Sequence, residues 1–516
     1  MVAMKPLRPL AVLLASALLS SGRPPNILLI VTDDLGFGDP GCYGAEKIAT
    51  PRIDRLADEG LRFTSAYAPA STCTPTRYSI LTGEYPWRQK VRKNTILDGD
   101  APLAFETSQP TVAGFLKSAG YTTGVVGKWH LGLGDGVRPV DFNAEIKPGP
   151  LEIGFDYCHI IPATVDRVPS LWIENHRVVG LDPEDPIEVS YQKRLGDEPT
   201  GIERPDLLKQ KADEQHSGII INGISRIGSM TGGHAARFKD EELPATVVEK
   251  SVAFLEKHKD APFFLMVGMF EPHVPRVAAP PFAGKSKCGV RGDVIQQIDW
   301  QTGELLDALE RLGIADDTVV FLTSDNGPLF FDGYFDGSER DANGHKPAGG
   351  LRGGKYNVFE GGTRVPFIAR GPGVRKGTTD AILCLTDIFA TAAGLAEQPK
   401  PEAGARDSID QTPVLRGEPA EPVRGSVITQ GISGAVAIRD GDWKFIPANG
   451  EAGATGMGSG ANASDKRFAA AVITEDLLFD LGSDRGETKN VISEQPGRAA
   501  ALRKALVKEG APVTKR

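Results

Sequence analysis

At 516 residues the chain is too long for one small core, and its length implies a large domain with a smaller one beside it. Its 40% apolar and 24% charged residues are ordinary for a soluble globular enzyme. A net charge of −9 argues against a nucleic-acid binder, which would be basic overall, and still leaves room for a locally positive anion pocket.

Residues 1–22 read as a secretory signal peptide. Lys5 and Arg8 give the positive start, Leu10 to Leu19 the apolar centre, and Ser20, Ser21 and Gly22 a cleavage region. That run is short for a membrane span, and no later segment reaches span length without charge. The mature chain is therefore expected in the periplasm or secreted, with no stable membrane span. Its five cysteines include no CxxC pair, so no disulfide framework is indicated. Asn462-Ala463-Ser464 is its glycosylation triplet.

The first strong strand is Asn26 to Thr32, an almost continuous apolar run that ends in Asp33-Asp34. Two adjacent carboxylates after a buried strand are costly unless something positive neutralises them, and a hard cation such as Ca²⁺ or Mg²⁺ suits their oxygens. A short amphipathic helix opens at Thr50-Pro51 and ends near Gly60. A second runs from Thr111 to Ala119, with Gly120 as its stop. The strand Thr122 to Val126 leads to Gly127-Lys128-Trp129-His130. The strand Pro262 to Val267 leads to Glu271-Pro272-His273, and the strand Thr318 to Thr323 to Ser324-Asp325-Asn326-Gly327. Helical runs from Thr246 to Lys257 and from Asp293 to Leu312 separate them. The alternation is that of an α/β sheet with many parallel strands, where ligands sit at the strands' carboxyl ends. Polar clusters at four such ends should converge on one site.

Between Gly154 and Pro244 the alternation lapses, as in an insertion that shapes a substrate pocket. After Asn326 a Gly-rich stretch carrying Lys346, Arg352 and Lys355 allows close approach to an anion. Glu397 to Asp407 has the composition of a linker. Beyond it lie short antiparallel strands at 426–429, 435–438, 443–446 and 477–481, a Gly/Ala-rich loop from Ala448 to Asp465, and a closing helix from about Pro496 to Lys508. The expected organisation is a signal peptide over 1–22, a catalytic domain over 23–400 and an α+β subdomain over 401–516.

Cys73-Thr74-Pro75-Thr76-Arg77 stands just before an apolar, helix-like run. Pro75 suits a first helical turn, where a missing N–H costs nothing. A group there faces free backbone N–H donors and the positive end of a helix, and Arg77 adds a fixed positive fork. These residues suggest an anion-handling nucleophile; a buried structural cysteine is the alternative.

Taken together and in order, the motifs resemble the formylglycine-dependent sulfatases of the alkaline-phosphatase-like superfamily. The resemblance rests on Cys73 to Arg77 with Leu81-Thr82-Gly83, on Asp33-Asp34, Gly127 to His130, His273, Asp325 to Gly327, Lys355, Phe359 to Pro366 and Leu478 to Leu481. Thr76 stands where that family commonly has Ser. The resemblance implies a large mixed, mostly parallel sheet sandwiched by helices, with a smaller C-terminal antiparallel sheet and helix. It implies that a formylglycine-generating enzyme oxidises Cys73 to an aldehyde whose hydrate attacks sulfur, and that Ca²⁺ is bound by Asp33, Asp34, Asp325 and Asn326 beside residue 73. Arg77, Lys128, His130, His273 and Lys355 would complete the catalytic set, with His130 as base and His273 as proton donor.

Two further stretches, His159 to Arg167 and Gly344 to Gly349, are similar to bacterial sulfatases acting on the 6-O-sulfate of galactose or N-acetylgalactosamine. They imply a sulfated carbohydrate substrate, with Asp166 and Arg167 on sugar hydroxyls and His345 beside the sulfated sugar. A phosphatase or phosphodiester hydrolase of the same superfamily remains an alternative, as does a non-catalytic sulfated-glycan-binding protein.

Overall fold

The computed structural model describes residues 23–91, 96–418, 421–432, 434–449 and 473–513. The expected signal peptide, the glycosylation triplet and the Gly/Ala-rich loop beyond residue 449 lie outside these residues.

One large sheet organises the chain. Its early strands are β1 (Asn26–Asp33), β2 (Leu61–Tyr67), β3 (Thr122–Lys128), β4 (Tyr157–Ile161), β5 (Ile173–Glu174) and β6 (Arg177–Val178). The irregular excursion that follows contains four short strands: β7 (Glu188–Ser190), β8 (Ile220–Ile221), β9 (Ile224–Ser225) and β10 (Ser229–Thr231). Then β11 (Phe263–Pro272), β12 (Thr318–Ser324), β13 (Phe367–Arg370) and β14 (Gly377–Cys384) complete the sheet, whose ten strands run in the order β14-β2-β13-β12-β1-β11-β3-β4-β5-β6.

At its centre β12, β1, β11 and β3 are consecutive parallel neighbours. Residues of β1 alternate between two cores: Ile27, Leu29 and Val31 face one, Leu28 and Ile30 the other. Burial on both faces is why the strand reads as an unbroken apolar run. Helices cover both faces. α1 (Pro51–Glu59), α4 (Leu243–His258) and α5 (Gly289–Arg311) pack on one side; α2 (Cys73–Thr82), α3 (Val112–Ser118) and α7 (Asp387–Leu395) pack on the other. The short α6 (Glu360–Thr363) lies between β12 and β13 in sequence, and α8 (Thr412–Arg416) follows α7.

A second, antiparallel sheet is built from β15 (Ser426–Gln430), β16 (Val436–Asp440), β17 (Trp443–Ile446) and β18 (Leu477–Asp480), with α9 (Pro496–Lys508) against it. The expected fold, a large mostly parallel sheet between helices plus a small antiparallel sheet, is the one observed. The stretch read as a linker, Glu397 to Asp407, is not a free tether: Ala405 is buried in the large domain's core and Asp407 pairs with Arg88 at 2.7 Å.

The small sheet reaches the large one through a buried ion network. Glu360 accepts from Tyr67 Oη (2.7 Å), Arg364 (3.0 Å) and Lys444 (2.9 Å), while Lys444 also pairs with Glu487 at 3.0 Å. The end of β15 braces the segment that leads into α2, where Ser71 N donates to Gln430 O at 2.8 Å and Gln430 N to Pro69 O at 2.9 Å. The C-terminal sheet thus supports the loop that delivers Cys73.

His159 on β4 illustrates the cost of a buried imidazole. Its ring lies 4.7 Å from that of Trp172, and neither ring nitrogen has a hydrogen-bond partner. Burial pushes its pKa down to about 4. Because the folded value lies below the unfolded one near 6.5, the unfolded chain binds the extra proton between these pH values. Stability therefore falls as pH drops from about 6.5 to 4, by about 3 kcal/mol for this group. In denaturant titrations across that window His159→Phe should flatten the slope; an unchanged slope would refute the assignment.

Candidate active site

The carboxyl ends of β12, β1, β11 and β3 deliver Asp325-Asn326, Asp33-Asp34, His273 and Lys128-His130 to one place, as consecutive strands must. The chain bends sharply at two of these ends, with φ of 67° at Asp34 and 57° at His130. Between β3 and β11 the backbones approach so closely that a Cβ on Gly127 would lie 2.0 Å from Gly268 O. Glycine is required there, since a side chain would spread the two strands that position Lys128.

From the opposite side comes α2. Cys73 is its first residue, and Arg77 lies one turn later on the same helical side. All ten residues of α2 are buried, which is why this helix shows no amphipathic stripe. The Cys73 thiol, Asp33 and Asp325 offer ligand atoms within 4.8 Å of one another, as do Asp33, Asp34 and His273.

The charged groups interlock. Arg77 Nε donates to Asp325 Oδ2 at 2.9 Å, and its Nη1 to the Lys128 carbonyl at 3.3 Å. Lys128 Nζ pairs with Asp33 and lies 3.8 Å from Asp325 Oδ2. Asn326 Nδ2 donates to Asp34 Oδ1 at 2.6 Å, and Lys355 Nζ to Asp34 Oδ2 at 2.9 Å. Burial favours the neutral acid at Asp33 and Asp325 and raises both. At Asp34 burial pushes the same way, yet Lys355 and His273 hold that carboxyl below its ordinary value. Burial likewise raises the Cys73 thiol, so the thiol form is poorly suited to attack as it stands.

The two histidines are set up differently. His130 Nε2 meets the Leu97 carbonyl at 3.0 Å, which fixes that nitrogen as the donor; Nδ1 is buried without a partner. Burial and then Lys128 keep His130 well below its ordinary pKa. It is therefore neutral, with a lone pair on Nδ1, the state a base requires. His273 donates from Nδ1 to the Val274 carbonyl (2.6 Å), which leaves Nε2 4.0 Å from both Asp34 and Asp332. Burial and the neighbouring Lys355 bring its pKa to about 4.

A cation fits this donor set. Asp33 Oδ1 and Asn326 Oδ1 are buried oxygens without a hydrogen-bond donor, beside the carboxylates of Asp34 and Asp325. Carboxylate and amide oxygens of this kind suit a hard cation such as Ca²⁺.

Of the expected substrate residues, Asp166 and Arg167 are buried and paired at 2.9 Å, and they contribute to the electrostatic environment of His130. His345 is anchored: its Nε2 meets Asp39 Oδ1 at 2.7 Å, and Arg291 forks onto the same carboxylate with two contacts of 2.6 Å. It nonetheless lines a cavity of about 510 Å³ with Lys355, Lys346 and Pro347. Sequence reasoning missed Asp332 and Tyr356. Asp332 accepts from Lys355 Nζ at 2.9 Å and from Tyr356 Oη at 2.8 Å. The available signal was a lone acid in the apolar run Phe330-Phe331-Asp332-Gly333, which needs a cation if buried.

A family model described as Sulfatase matches residues 25–398. The chain belongs to the sulfatase family. It is 47% identical over 478 residues to an N-acetylgalactosamine-6-O-sulfatase of Bacteroides thetaiotaomicron, covering 92% of this chain and 91% of that one. It is 31% identical to human arylsulfatase A over 96% of this chain and 89% of the relative. A solved structure from work on the metabolism of multiple glycosaminoglycans by B. thetaiotaomicron superposes with a TM-score of 0.89 at 46% identity. That match covers 94% of this sulfatase and 99% of its neighbour. The protein is accordingly a sulfuric ester hydrolase, as the sequence motifs implied. Among the described residues no helix is long and apolar enough to cross a membrane.

Proposed function

We propose that this sulfatase works through formylglycine made from Cys73 and removes, in exo fashion, the 6-O-sulfate of galactose or N-acetylgalactosamine in sulfated glycans. The observation that carries the reading is the position of Cys73, at the start of α2 and in ligand reach of Asp33 and Asp325. The named substrate of the 47%-identical relative supports the sugar and the sulfate position. Export to the periplasm or beyond belongs to the same reading.

Oxidised to formylglycine, residue 73 would supply a hydrated aldehyde as the attacking oxygen, and Ca²⁺ held by Asp33, Asp34, Asp325 and Asn326 would polarise sulfate oxygens. The remaining roles fall to the chain's own side chains. Arg77 and Lys128 hold negative charge at the head of α2, where the helix terminus adds to their field. Lys355 extends that positive surface toward the cavity it lines with His345. His273 Nε2, which the Nδ1 contact to Val274 leaves available, would protonate the departing ester oxygen, and the negative charge of an arriving sulfate favours its protonated form. His130 takes up a proton at Nδ1, its free nitrogen. Cys73 is 1% exposed in the folded chain, so its oxidation by a formylglycine-generating enzyme has to precede burial.

Comparing an aryl sulfate with the matching aryl phosphate tests the reaction class, and sulfate turnover should exceed phosphate turnover by at least about a hundredfold. A panel of 2-, 3-, 4- and 6-O-sulfated galactosides and glucosides tests the substrate. Preference for any position other than 6-O would overturn the substrate half of the proposal.

A further inference from the structure

Behind Asp166 lies an arrangement that the catalytic set does not use. His216, in the irregular insertion, is almost fully buried; its Nδ1 meets Asp213 Oδ1 at 2.7 Å, and its Nε2 lies 3.5 Å from Asp166 Oδ2. The same Asp166 oxygen accepts from Arg167 Nη1 at 2.9 Å. The other oxygen, Oδ1, is buried and has no partner. Asp166 is thus asymmetric: one oxygen is gripped by two cationic or donor groups and the other is left as a free acceptor. A buried acceptor left unpaired is costly, and a sugar hydroxyl would satisfy it.

Room for the histidine is cut out of the loop that carries Asp332. A Cβ on Gly333 would lie 2.0 Å from His216 Nδ1, and the residue sits at φ of 95°. Asp213 N donates to the Gly333 carbonyl at 2.7 Å, and the Tyr334 ring stands edge-on to the imidazole at 5.1 Å. His216 is therefore fixed from three sides, and its direction toward Asp166 is set by the fold. Burial works against a charged imidazole, but Asp166 and Asp213 outweigh it and hold His216 above its ordinary range.

Resting on the sugar-ligand role that the sequence resemblance implies for Asp166, we infer that His216, clamped by Asp213, is a positioning residue that fixes Asp166 so that Oδ1 receives a substrate hydroxyl. The contact adds nothing to sulfur chemistry directly. It decides how well the sugar, rather than the sulfate, is recognised.

The test compares His216→Ala, His216→Gln, Asp213→Asn and Asp166→Asn on 6-O-sulfated N-acetylgalactosamine, its gluco epimer and an aryl sulfate. For His216→Ala the expected result is a KM on the galacto sugar raised on the order of tenfold, about the worth of one hydrogen bond to a charged group. The loss on the aryl sulfate should be smaller, the galacto-over-gluco preference should narrow, and His216→Gln should recover part of each. If His216→Ala does not fold, Asp213→Asn loosens the same histidine from behind and should narrow the preference in the same direction. Equal losses on sugar and aryl sulfate would make the role structural and overturn the inference. A sugar-specific loss in Asp166→Asn with none in the His216 variants would overturn it while leaving the subsite intact. No sugar-specific loss in Asp166→Asn would remove the subsite itself.

Discussion

Cys73→Ala should abolish sulfate ester turnover, with kcat/KM falling by at least about 10⁴-fold while the fold persists. The side chain is small and 1% exposed, and alanine removes one sulfur atom without stranding a charge, so the thermal melt should shift little. The surrounding cations and carboxylates stay in place, and a sulfate ester should still bind. Loss in kcat with near-normal inhibition by sulfate is the expected pattern. Mass spectrometry of the peptide spanning residue 73 in the active enzyme supplies the companion measurement, since conversion to formylglycine replaces the thiol by an aldehyde. Fully active protein with an intact thiol would refute the formylglycine reading, even if Cys73→Ala were dead.

Asp325→Ala should be the most damaging change at the cation side of the site, in stability as well as activity. Asp325 holds Arg77 through contacts of 2.9 and 2.8 Å, and both side chains are wholly buried. Lys128 Nζ lies a further 3.8 Å away. Arginine cannot shed its proton, so removing the carboxylate leaves a buried guanidinium without its counterion, at a cost of about 3–5 kcal/mol. A proposed Ca²⁺ ligand goes with it. Wild-type enzyme should gain about 2.7 kcal/mol from Ca²⁺ at a hundredfold excess over Kd, seen as a raised melting temperature that a chelator reverses. The variant should show a lower melt and little Ca²⁺ response. An undiminished response would remove Asp325 from the ligand set.

The parts of this architecture that could be read from the chain are those where burial imposes a simple pattern. The runs leading to Asp33, Lys128, His273 and Asp325 are apolar because β1, β3, β11 and β12 are covered on both faces, and their ends converge because the strands are neighbours. Other strands gave no such signal. Only three of the eight residues of β14 are buried, β13 has four residues, and β2 alternates buried with half-buried positions next to a helix end. The spacing that marks an amphipathic helix also fails at α2, where every side is enclosed. Within the site, Cys73, Lys128 and the aspartates were visible through ordered motifs. Asp332, Tyr356 and the Asp213–His216 pair come from loops with no period, and only folding places Asp332 against the neighbours Lys355 and Tyr356, or His216 against Asp166.

Charge is densely packed around Cys73. Asp33, Asp34, Asp325 and Asp332 face Arg77, Lys128 and Lys355, all of them buried. With every acid ionised the protein alone would carry one surplus negative charge here, a poor host for an anion in a low-dielectric interior. A divalent cation turns that deficit into a single positive charge, and a sulfate monoester, with its single negative charge, brings the assembly to electroneutrality. Under the proposed mechanism metal and substrate would balance each other's charge, the cation binding first and the ester second.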